Sequence, residues 1–121
     1  TLSLEMEGAK ASIHNQQLIS WVLENMIKNS ADAMDGTGVI AVEKKIQSGR
    51  AVVRIRDKGR GIAPADQRKI FEPGFTSKSR GWGLGLSLAK RIVEEYHGGK
   101  LILEQSIPGE GTTFKISLPL A

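Results

Sequence analysis

Apolar residues recur along the chain with two spacings, every second residue in predicted strands and every three or four residues in predicted helices. The opening TLSLEME alternates apolar and polar residues, which predicts a short edge strand. From about Asn15 to Met34 apolar residues recur every three or four positions, which predicts a long buried helix, and Gly36 just beyond it is a typical helix stop. The stretch GVIAVEKKIQSGRAVVRIRD then predicts two strands joined by a turn at Gln47 to Gly49.

The second half of the chain continues with mixed elements. It predicts a short helix near Pro64 to Ile70, an irregular stretch FEPGFTSKSRG, and a helix that begins close to Gly83 or Gly85. KLILEQS and TTFKISLPL predict two closing strands, separated by IPGEG. The predicted apolar stripe of the last helix consists of Leu84, Leu88, Ala89, Ile92, Val93 and Tyr96. This order favours an α/β two-layer sandwich, with a mixed sheet of about five strands and three helices on one face.

Composition narrows the class of protein. With 121 residues, 40% hydrophobic and 25% charged, the chain is typical of one soluble globular domain. It has no cysteine, which excludes disulfides and thiolate metal sites and favours a reducing compartment. The net charge of +4 fits nucleic acid or an anionic small molecule. Dispersed basic residues and only six aromatics argue against nucleic acid, whereas a polyphosphate ligand explains the charge equally well.

Polar residues follow one side of the first helix. Asn25, Asn29 and Asp32 are spaced i, i+4 and i+7, which aligns two carboxamides and a carboxylate beside the apolar stripe. Carboxamide oxygens suit Mg²⁺, which takes few protein ligands while bridging phosphates. Lys28 pairs most simply with a neighbouring glutamate on the helix but is also within reach of a phosphate. The alternative is an ordinary solvated polar face.

A carboxylate stands at the end of the second hairpin strand. The two-residue period places Val53, Ile55 and Asp57 on the inward, apolar face. A buried carboxylate needs hydrogen bonds, and a ligand amine is a candidate donor, although Asp57 could instead cap the following turn. Gly59 and Gly61 would let a flat ligand approach the backbone.

Three glycines precede the last helix, in GWGLGLSLAKRIVEE. Gly81, Gly83 and Gly85 would expose backbone N–H groups near a helix N-terminus, where the helix dipole favours an anion. Lys78 and Arg80 stand immediately upstream and add positive charge. Taken alone, the same glycines also suit a hinge.

Together these pieces resemble the GHKL superfamily of ATP-binding domains, and most closely the catalytic and ATP-binding domain of bacterial sensor histidine kinases, of the nitrogen-sensor type with a short lid. NMIKNSADAM resembles the asparagine box and DKGRGI the first glycine box. IFEPGFTSK resembles the phenylalanine box, GWGLGLSLAKRIVEEYHGGKLILEQS the second glycine box, and GEGTTFKISLP the last box. The resemblance covers nearly the whole chain and implies the Bergerat ATP-binding fold.

The resemblance implies a role for each matching residue. Asn25 and Asn29 would hold Mg²⁺ and act with Lys78 in catalysis, while Asp57 would accept the adenine amine of ATP. Thr113 would support adenine through water, and the link from Phe75 to Gly81 would form a compact ATP lid. The full set of implied nucleotide-binding positions is Asn25, Asn29, Asp32, Asp57, Gly59, Gly61, Ile62, Phe75, Thr76, Lys78, Arg80, Gly81, Trp82, Gly83, Leu84, Gly85, Leu86 and Thr113.

The chain departs from the family at several positions. Many sensor kinases carry a basic residue where Asp32 stands, and NSADAM also resembles the hydrolysing branch, which includes mismatch-repair, gyrase and heat-shock chaperone ATPases. Those enzymes have a glutamate base where Asn25 stands, and the adjacent Glu24 is rotated by about 100° around the helix. Trp82 stands where the family more often has a small hydroxyl residue, and Gly74 where it more often has phenylalanine. The sequence therefore does not predict the detailed conformation of the lid.

The chain has no phosphoacceptor motif. Neither His14 nor His97 belongs to a His-Glu or His-Asp pair. We therefore expect residues 1–121 to be a fragment of a longer kinase. The resemblance implies transfer of the ATP γ-phosphoryl group to a histidine on a separate dimerisation domain, and a response regulator as a further partner. It also implies a monomeric isolated domain, a homodimeric parent, no nucleic acid, and a cytoplasmic location, and it leaves open whether the parent is anchored in the inner membrane. The alternatives are a hydrolysing GHKL ATPase and a degenerate nucleotide-binding regulatory module.

Overall fold

Five strands and two helices make up the structure, a computed structural model that describes residues 2–7, 16–72 and 85–119, with the backbone alone at 2–7, 16 and 17. The strands are β1 (Leu2–Glu7), β2 (Gly38–Gln47), β3 (Arg50–Asp57), β4 (Lys100–Ile107) and β5 (Gly111–Pro119). The helices are α1 (Gln16–Ala33) and α2 (Gly85–Arg91), and α2 continues into one π-helical turn, Ile92–Tyr96. No helix in these ranges has both the length and the apolar character needed to cross a membrane.

The strands form one sheet in the order β1-β2-β3-β5-β4. Strands β2 to β5 pair antiparallel, and β1 lies parallel beside β2 at the edge. The β2–β3 hairpin closes through Ser48 and Gly49, both at positive φ (52° and 76°), the two-residue turn that matches strand twist. The predicted hairpin is therefore confirmed, with a turn one residue shorter than expected because Gln47 still pairs with Arg50.

The helices pack on one face of the sheet, which confirms the α/β class. Alternation along β3 buries Val53, Ile55 and Asp57, while Arg54 is half-buried and Arg56 exposed. From α1, Val22 and Met26 are fully buried, and each such side chain contributes about 1.5–3 kcal/mol by leaving water. The core also contains Ile19, Ile40, Val42, Ala89, Ile92, Val93, Leu101, Phe114, Ile116 and Leu118.

The end of α1 follows the sequence prediction. Gly36 has a φ of 79°, and its N–H donates to the carbonyl of Ala31 at 2.8 Å. This left-handed residue satisfies a carbonyl of the last helical turn and turns the chain toward β2.

The predicted helix near Pro64 to Ile70 is wrong. The segment is a series of turns whose N–H groups bond three residues back, as from Asp66 to Ala63 and from Lys69 to Asp66, both at 2.8 Å. Only Ile70 of this segment is buried in the core. A segment this short has little helical stability of its own, so the packing of one apolar residue and local turn bonds decide its shape. Among the described residues, two helices rather than three cover the sheet.

The predicted apolar stripe of α2 is wrong at two positions. Ala89, Ile92 and Val93 are buried, but Leu88 is 40% exposed and Tyr96 62% exposed. The π-helical turn holds one more residue per turn than an α-helix, so it moves Tyr96 outward and brings His97 inward. His97 is buried, and its Nδ1–H donates to the carbonyl of Ile92 at 2.8 Å. Leu84, also assigned to the stripe, lies outside the described residues.

Candidate nucleotide-binding site

The polar side of α1 borders the buried core as predicted. Asn25 and Asn29 are half-buried and Asp32 is exposed, while Val22 and Met26, three residues before and one residue after Asn25, are fully buried. Within residues 18–72 and 85–119, no group of three or more histidine, aspartate or glutamate side chains has a metal-binding arrangement. The carboxamide oxygens of Asn25 and Asn29 stay the predicted protein ligands for a divalent cation.

Asn25 connects α1 to the start of α2. Its Nδ2 donates to the carbonyl of Gly85 at 2.9 Å, and because a carbonyl only accepts, the amide orientation follows from this bond. A Cβ at position 85 would lie 2.9 Å from Nδ2 and 3.0 Å from Oδ1 of Asn25. The third glycine of GWGLG is thus needed for contact with the asparagine helix, and the Oδ1 atom of Asn25 keeps its acceptor capacity for a cation.

Asp57 is buried at the end of β3, with 4% of its surface exposed. Its Oδ1 accepts a hydrogen bond from the N–H of Gly59 at 2.8 Å, so the turn-capping alternative is part of its role. In the described part of the chain the carboxylate forms no ion pair, which leaves acceptor positions that a ligand amine would satisfy. Asp57 is thus a buried acceptor with room for a further donor, and its role toward adenine, which the resemblance implies, stays a prediction.

Gly59 and Gly61 serve contacts within the protein. A Cβ on Gly59 would lie 2.7 Å from both Cβ and the carbonyl oxygen of Ala33, at the end of α1. Gly61 has a φ of 74°, and a Cβ there would lie 2.5 Å from the carbonyl oxygen of Ile107. The structure thus gives both glycines a packing role against the chain's own atoms, and the expected close approach of a flat ligand stays a prediction.

The structure separates Thr113 from Asp57. In the β3–β5 register Asp57 pairs with Thr112, whereas Thr113 pairs with Arg56 on the other face of the sheet. Thr112 is therefore the residue that lies opposite Asp57 on the same face of the sheet, and the expected role of Thr113 beside adenine stays a prediction. The sequence contains a signal for the inward position of Thr112. Phe114 is a core residue, and Thr112 lies on the same face of the strand because it comes two residues earlier.

Arg60 joins the loop after β3 to the end of α1, a contact that sequence reasoning missed. Its N–H donates to the carbonyl of Ala33 at 3.1 Å and its guanidinium to the carbonyl of Asp32 at 2.7 Å. Both carbonyls belong to the last turn of α1, where carbonyl groups have no N–H donor within the helix. No signal in GRG distinguishes this arginine from any exposed basic residue.

The remaining predicted positions fall into two groups. Leu86 is half-buried against the core, and the N–H of the half-buried Ile62 donates to Ser106 Oγ at 2.8 Å. The lid and most of the glycine motif lie outside the described residues: Phe75, Thr76, Lys78, Arg80, Gly81, Trp82, Gly83 and Leu84. The described site therefore comprises the α1 asparagines, Asp57 with its loop, Thr112 and the start of α2.

Sequence relatives of the chain are sensor kinases. Sensor histidine kinase ZraS of Salmonella typhimurium is 41% identical over 104 residues, which cover 84% of this chain and 22% of that protein. The chain thus spans about a fifth of that relative's length. Sporulation kinase C of Bacillus subtilis is 34% identical over 116 residues, covering 96% of this chain and 26% of that protein.

Solved structures of histidine kinases share the fold. The mycobacterial sensor histidine kinase MprB has a TM-score of 0.86 at 28% identity, covering 98% of this chain and 82% of that chain. Histidine kinase ThkA in complex with the response regulator protein TrrA has a TM-score of 0.78 at 26% identity, covering 99% of this chain and 34% of that chain. Residues 14–121 match the family model of histidine kinase-, DNA gyrase B-, and HSP90-like ATPases. The chain belongs to this ATPase family.

Proposed function

We propose that the chain is the ATP-binding catalytic domain of a two-component sensor histidine kinase. The observation that carries the proposal is the Asn25–Gly85 hydrogen bond of 2.9 Å, which holds the asparagine side of α1 against the start of α2. At the C-terminal end of α1, Ala33 contacts Gly59, whose N–H is bound by Asp57. Helix α1 thus connects the three parts of the candidate site. Asn25, a candidate cation ligand, contacts the start of α2, and the C-terminal end of α1 contacts the loop that follows Asp57, the candidate adenine acceptor. Family membership and the named relatives support the same function.

The residues of the chain divide the work of binding. When bound, ATP supplies the γ-phosphoryl group, and Mg²⁺ neutralises charge on its phosphates. The carboxamide oxygens of Asn25 and Asn29 hold the cation, and Asp57 accepts the adenine amine. Lys78 is proposed as the cation that stabilises the transferred group, with the lid residues around it closing the site. The acceptor histidine lies outside this chain, so the isolated domain binds ATP but does not phosphorylate itself.

The environment of position 24 favours a kinase over a hydrolysing ATPase. A hydrolase needs a general base to activate water, whereas a neutral imidazole is already a nucleophile. Glu24 is exposed, and Asn25 occupies the half-buried position that borders Gly85. Because Glu24 is rotated by about 100° from Asn25 around α1, its carboxylate is not directed toward the same water. We therefore expect negligible hydrolysis of ATP by this domain.

The proposed partners are a histidine-bearing dimerisation domain of the parent kinase and a response regulator. The likeness to ThkA, whose structure holds a response regulator, supports the second partner. The proposal includes a monomeric isolated domain, a homodimeric parent, and a cytoplasmic position for this domain.

Titration calorimetry with Mg-ATP is the first test. The wild-type chain is expected to bind, and Asn29→Ala should weaken binding because it removes a cation ligand. Gln47→Ala is the matched control, since it removes a carboxamide at an exposed position of the hairpin. Absence of Mg-ATP binding, or binding indifferent to Asn29→Ala, would favour a degenerate regulatory module.

Phosphotransfer is the second test. The chain is mixed with radiolabelled ATP and the dimerisation domain of the parent kinase, and label is expected on a histidine of that domain. Robust steady-state hydrolysis that Glu24→Ala abolishes would instead identify a hydrolysing ATPase.

A further inference from the structure

Lys90 joins helix α2 to the edge of the sheet. Its Nζ donates to Oε2 of Glu94 at 2.9 Å and to the carbonyl of Leu101 at 3.0 Å. The same carboxylate oxygen of Glu94 accepts the N–H of Leu101 at 3.3 Å. Strand β4 is the last strand in the order of the described sheet, so these backbone groups bind the ion pair of α2 instead of a further strand.

The backbone of Leu101 depends on this ion pair because the residue is fully buried, with 0% of its surface exposed. Water therefore does not reach its N–H or its carbonyl, and a buried backbone group that loses its partner is strongly unfavourable. Without the ammonium of Lys90, water could replace that donor only if α2 moved away from β4. The contact thus determines how closely α2 approaches the sheet.

Lys90 also contacts an aromatic ring of the core. Its Nζ lies 4.7 Å from the centroid of the Phe71 ring, within the range of a cation–π interaction. Phe71 in turn packs edge-on against Phe114, with ring centroids 6.2 Å apart and an angle of 77° between the rings. One side chain of α2 therefore contacts both the edge strand and the segment that ends at Phe71.

The next residue of the helix forms an ion pair of the ordinary kind. Arg91 Nε and Glu95 Oε2 are 2.9 Å apart at the same i, i+4 spacing, but their side chains are 63% and 59% exposed. The side chains of Lys90 and Glu94 are only 35% and 34% exposed. An exposed pair within one helix contributes little. The two adjacent pairs therefore differ in whether they connect α2 to the sheet.

The position of α2 matters at Asn25. Helix α2 has seven residues, too few to be stable without tertiary contacts, and its first residue, Gly85, accepts the Asn25 amide at 2.9 Å. At a rise of 1.5 Å per residue, Gly85 and Lys90 are about 7.5 Å apart along the helix axis. A displacement of α2 at Lys90 would therefore also move the carbonyl that orients Asn25.

We propose that Lys90 is a positioning residue for the cation ligand Asn25. It holds α2 against β4, so that the carbonyl of Gly85 binds the amide of Asn25 and leaves the Oδ1 atom of Asn25 available to Mg²⁺. The inference rests on the proposed function, because it concerns the cation that accompanies bound ATP. In this arrangement Lys90 acts through α2 and does not contact the nucleotide or the metal.

The test measures the affinity of the 121-residue chain for ATP by titration calorimetry, once with Mg²⁺ and once with EDTA. The ratio of the two affinities reports the contribution of the cation. The wild type should bind ATP more tightly with Mg²⁺, and Lys90→Met, which keeps an unbranched apolar side chain, should reduce the ratio by about tenfold. A purely structural loss would lower both affinities by the same factor and leave the ratio unchanged.

Two further variants of α2 serve as controls. Lys90→Arg keeps a cation that can reach the carbonyl of Leu101 and the Phe71 ring, so it should restore most of the ratio. Arg91→Met removes the adjacent exposed pair and should leave the ratio unchanged. Without nucleotide, the nuclear magnetic resonance signals of the Asn25 side-chain amide should shift in Lys90→Met and not in Arg91→Met.

Glu94→Gln provides a second route if Lys90→Met unfolds the chain. It keeps an acceptor for the N–H of Leu101 but removes the charge that holds Lys90, so it should reduce the ratio by a smaller factor. An unchanged ratio in Lys90→Met or in Glu94→Gln, or an equal reduction in Arg91→Met, would overturn the inference. So would a wild-type chain that binds ATP equally well with and without Mg²⁺. A wild-type chain that binds no ATP would instead refute the proposed function.

Discussion

The side-chain amide of Asn25 donates a hydrogen bond to the backbone carbonyl of Gly85, 60 residues later in sequence, at 2.9 Å. This bond orients the carboxamide and places the start of α2 against the polar side of α1. Gly85 has no side chain that would interfere, and Asn25 therefore reaches backbone directly. The asparagine and glycine motifs depend on each other sterically, before any nucleotide is considered.

Gly85→Ala should disrupt this contact. The added methyl group would lie 2.9 Å from Nδ2 of Asn25, and overpacking of this kind costs about 1–3 kcal/mol. We expect a lower melting temperature and Mg-ATP affinity weakened by about tenfold or more, because the Asn25 amide must move. Leu88→Ala, at an exposed position of the same helix, is the control and should leave affinity unchanged. Wild-type affinity in Gly85→Ala would mean that the orientation of Asn25 is irrelevant to binding.

Asp57→Asn should weaken ATP binding while the fold is kept. The asparagine oxygen can still accept the N–H of Gly59, but the amide replaces a charged acceptor facing the adenine amine. Loss of a hydrogen bond to a charged group corresponds to an affinity decrease of about tenfold to a hundredfold, measurable by calorimetry. Asp66→Asn, which changes a half-buried carboxylate in the turn segment, serves as the control. An unchanged affinity would remove Asp57 from the base site.

Arg60→Ala should lower the free energy of unfolding by about 1 kcal/mol, because the carbonyl of Asp32 loses its guanidinium donor. The side chain is 50% exposed, so solvent replaces part of that bond and limits the effect. Urea denaturation measures the change, with the exposed Arg68→Ala as the control. A loss no larger than that of Arg68→Ala would show that the backbone bond from residue 60 to Ala33 suffices at the end of α1.

Acid should weaken an ion pair on the helix-free face of the sheet. The hydrogen bond from Arg54 at 2.9 Å lowers the pKa of the Glu104 carboxyl below its usual value near 4.5. The unfolded chain therefore takes up this proton at higher pH than the folded chain does. The stabilisation is complete above the unfolded pKa and is lost as pH falls through the lower folded pKa.

Urea denaturation from pH 7 to pH 3, a range that begins above the ordinary pKa of a glutamate and ends below it, should reveal this contribution. Glu104→Gln should flatten the acid limb of the stability curve relative to the wild type, whereas Glu72→Gln at an exposed position should not. Identical acid limbs in the wild type and Glu104→Gln would mean that the pair contributes nothing measurable.

Strongly periodic segments were predicted correctly because their pattern is local. The apolar spacing of α1, its stop at Gly36 and the alternation of β3 all follow from residues within a few positions of one another. The errors occur where the local pattern is weak or interrupted. The Pro64 to Ile70 segment has one buried apolar anchor, and the π-helical turn shifts Tyr96 outward without any marker in the sequence. The faces of the adjacent Thr112 and Thr113 were decided by the pairing of β3 with β5, which puts Thr112 opposite Asp57 and Thr113 opposite Arg56.

The sequence by itself determined the family, the strands and helices with strong periodicity, and the inward position of Asp57, since each depends on neighbouring residues or on motif identity. Only the tertiary structure decided what these residues touch. It showed that Gly85 serves Asn25, that Gly59 and Gly61 serve the chain's own backbone, and that Thr112 is the partner of Asp57. Contacts between residues tens of positions apart depend on how helices and strands pack together, and that packing is a property of the whole fold rather than of any local pattern.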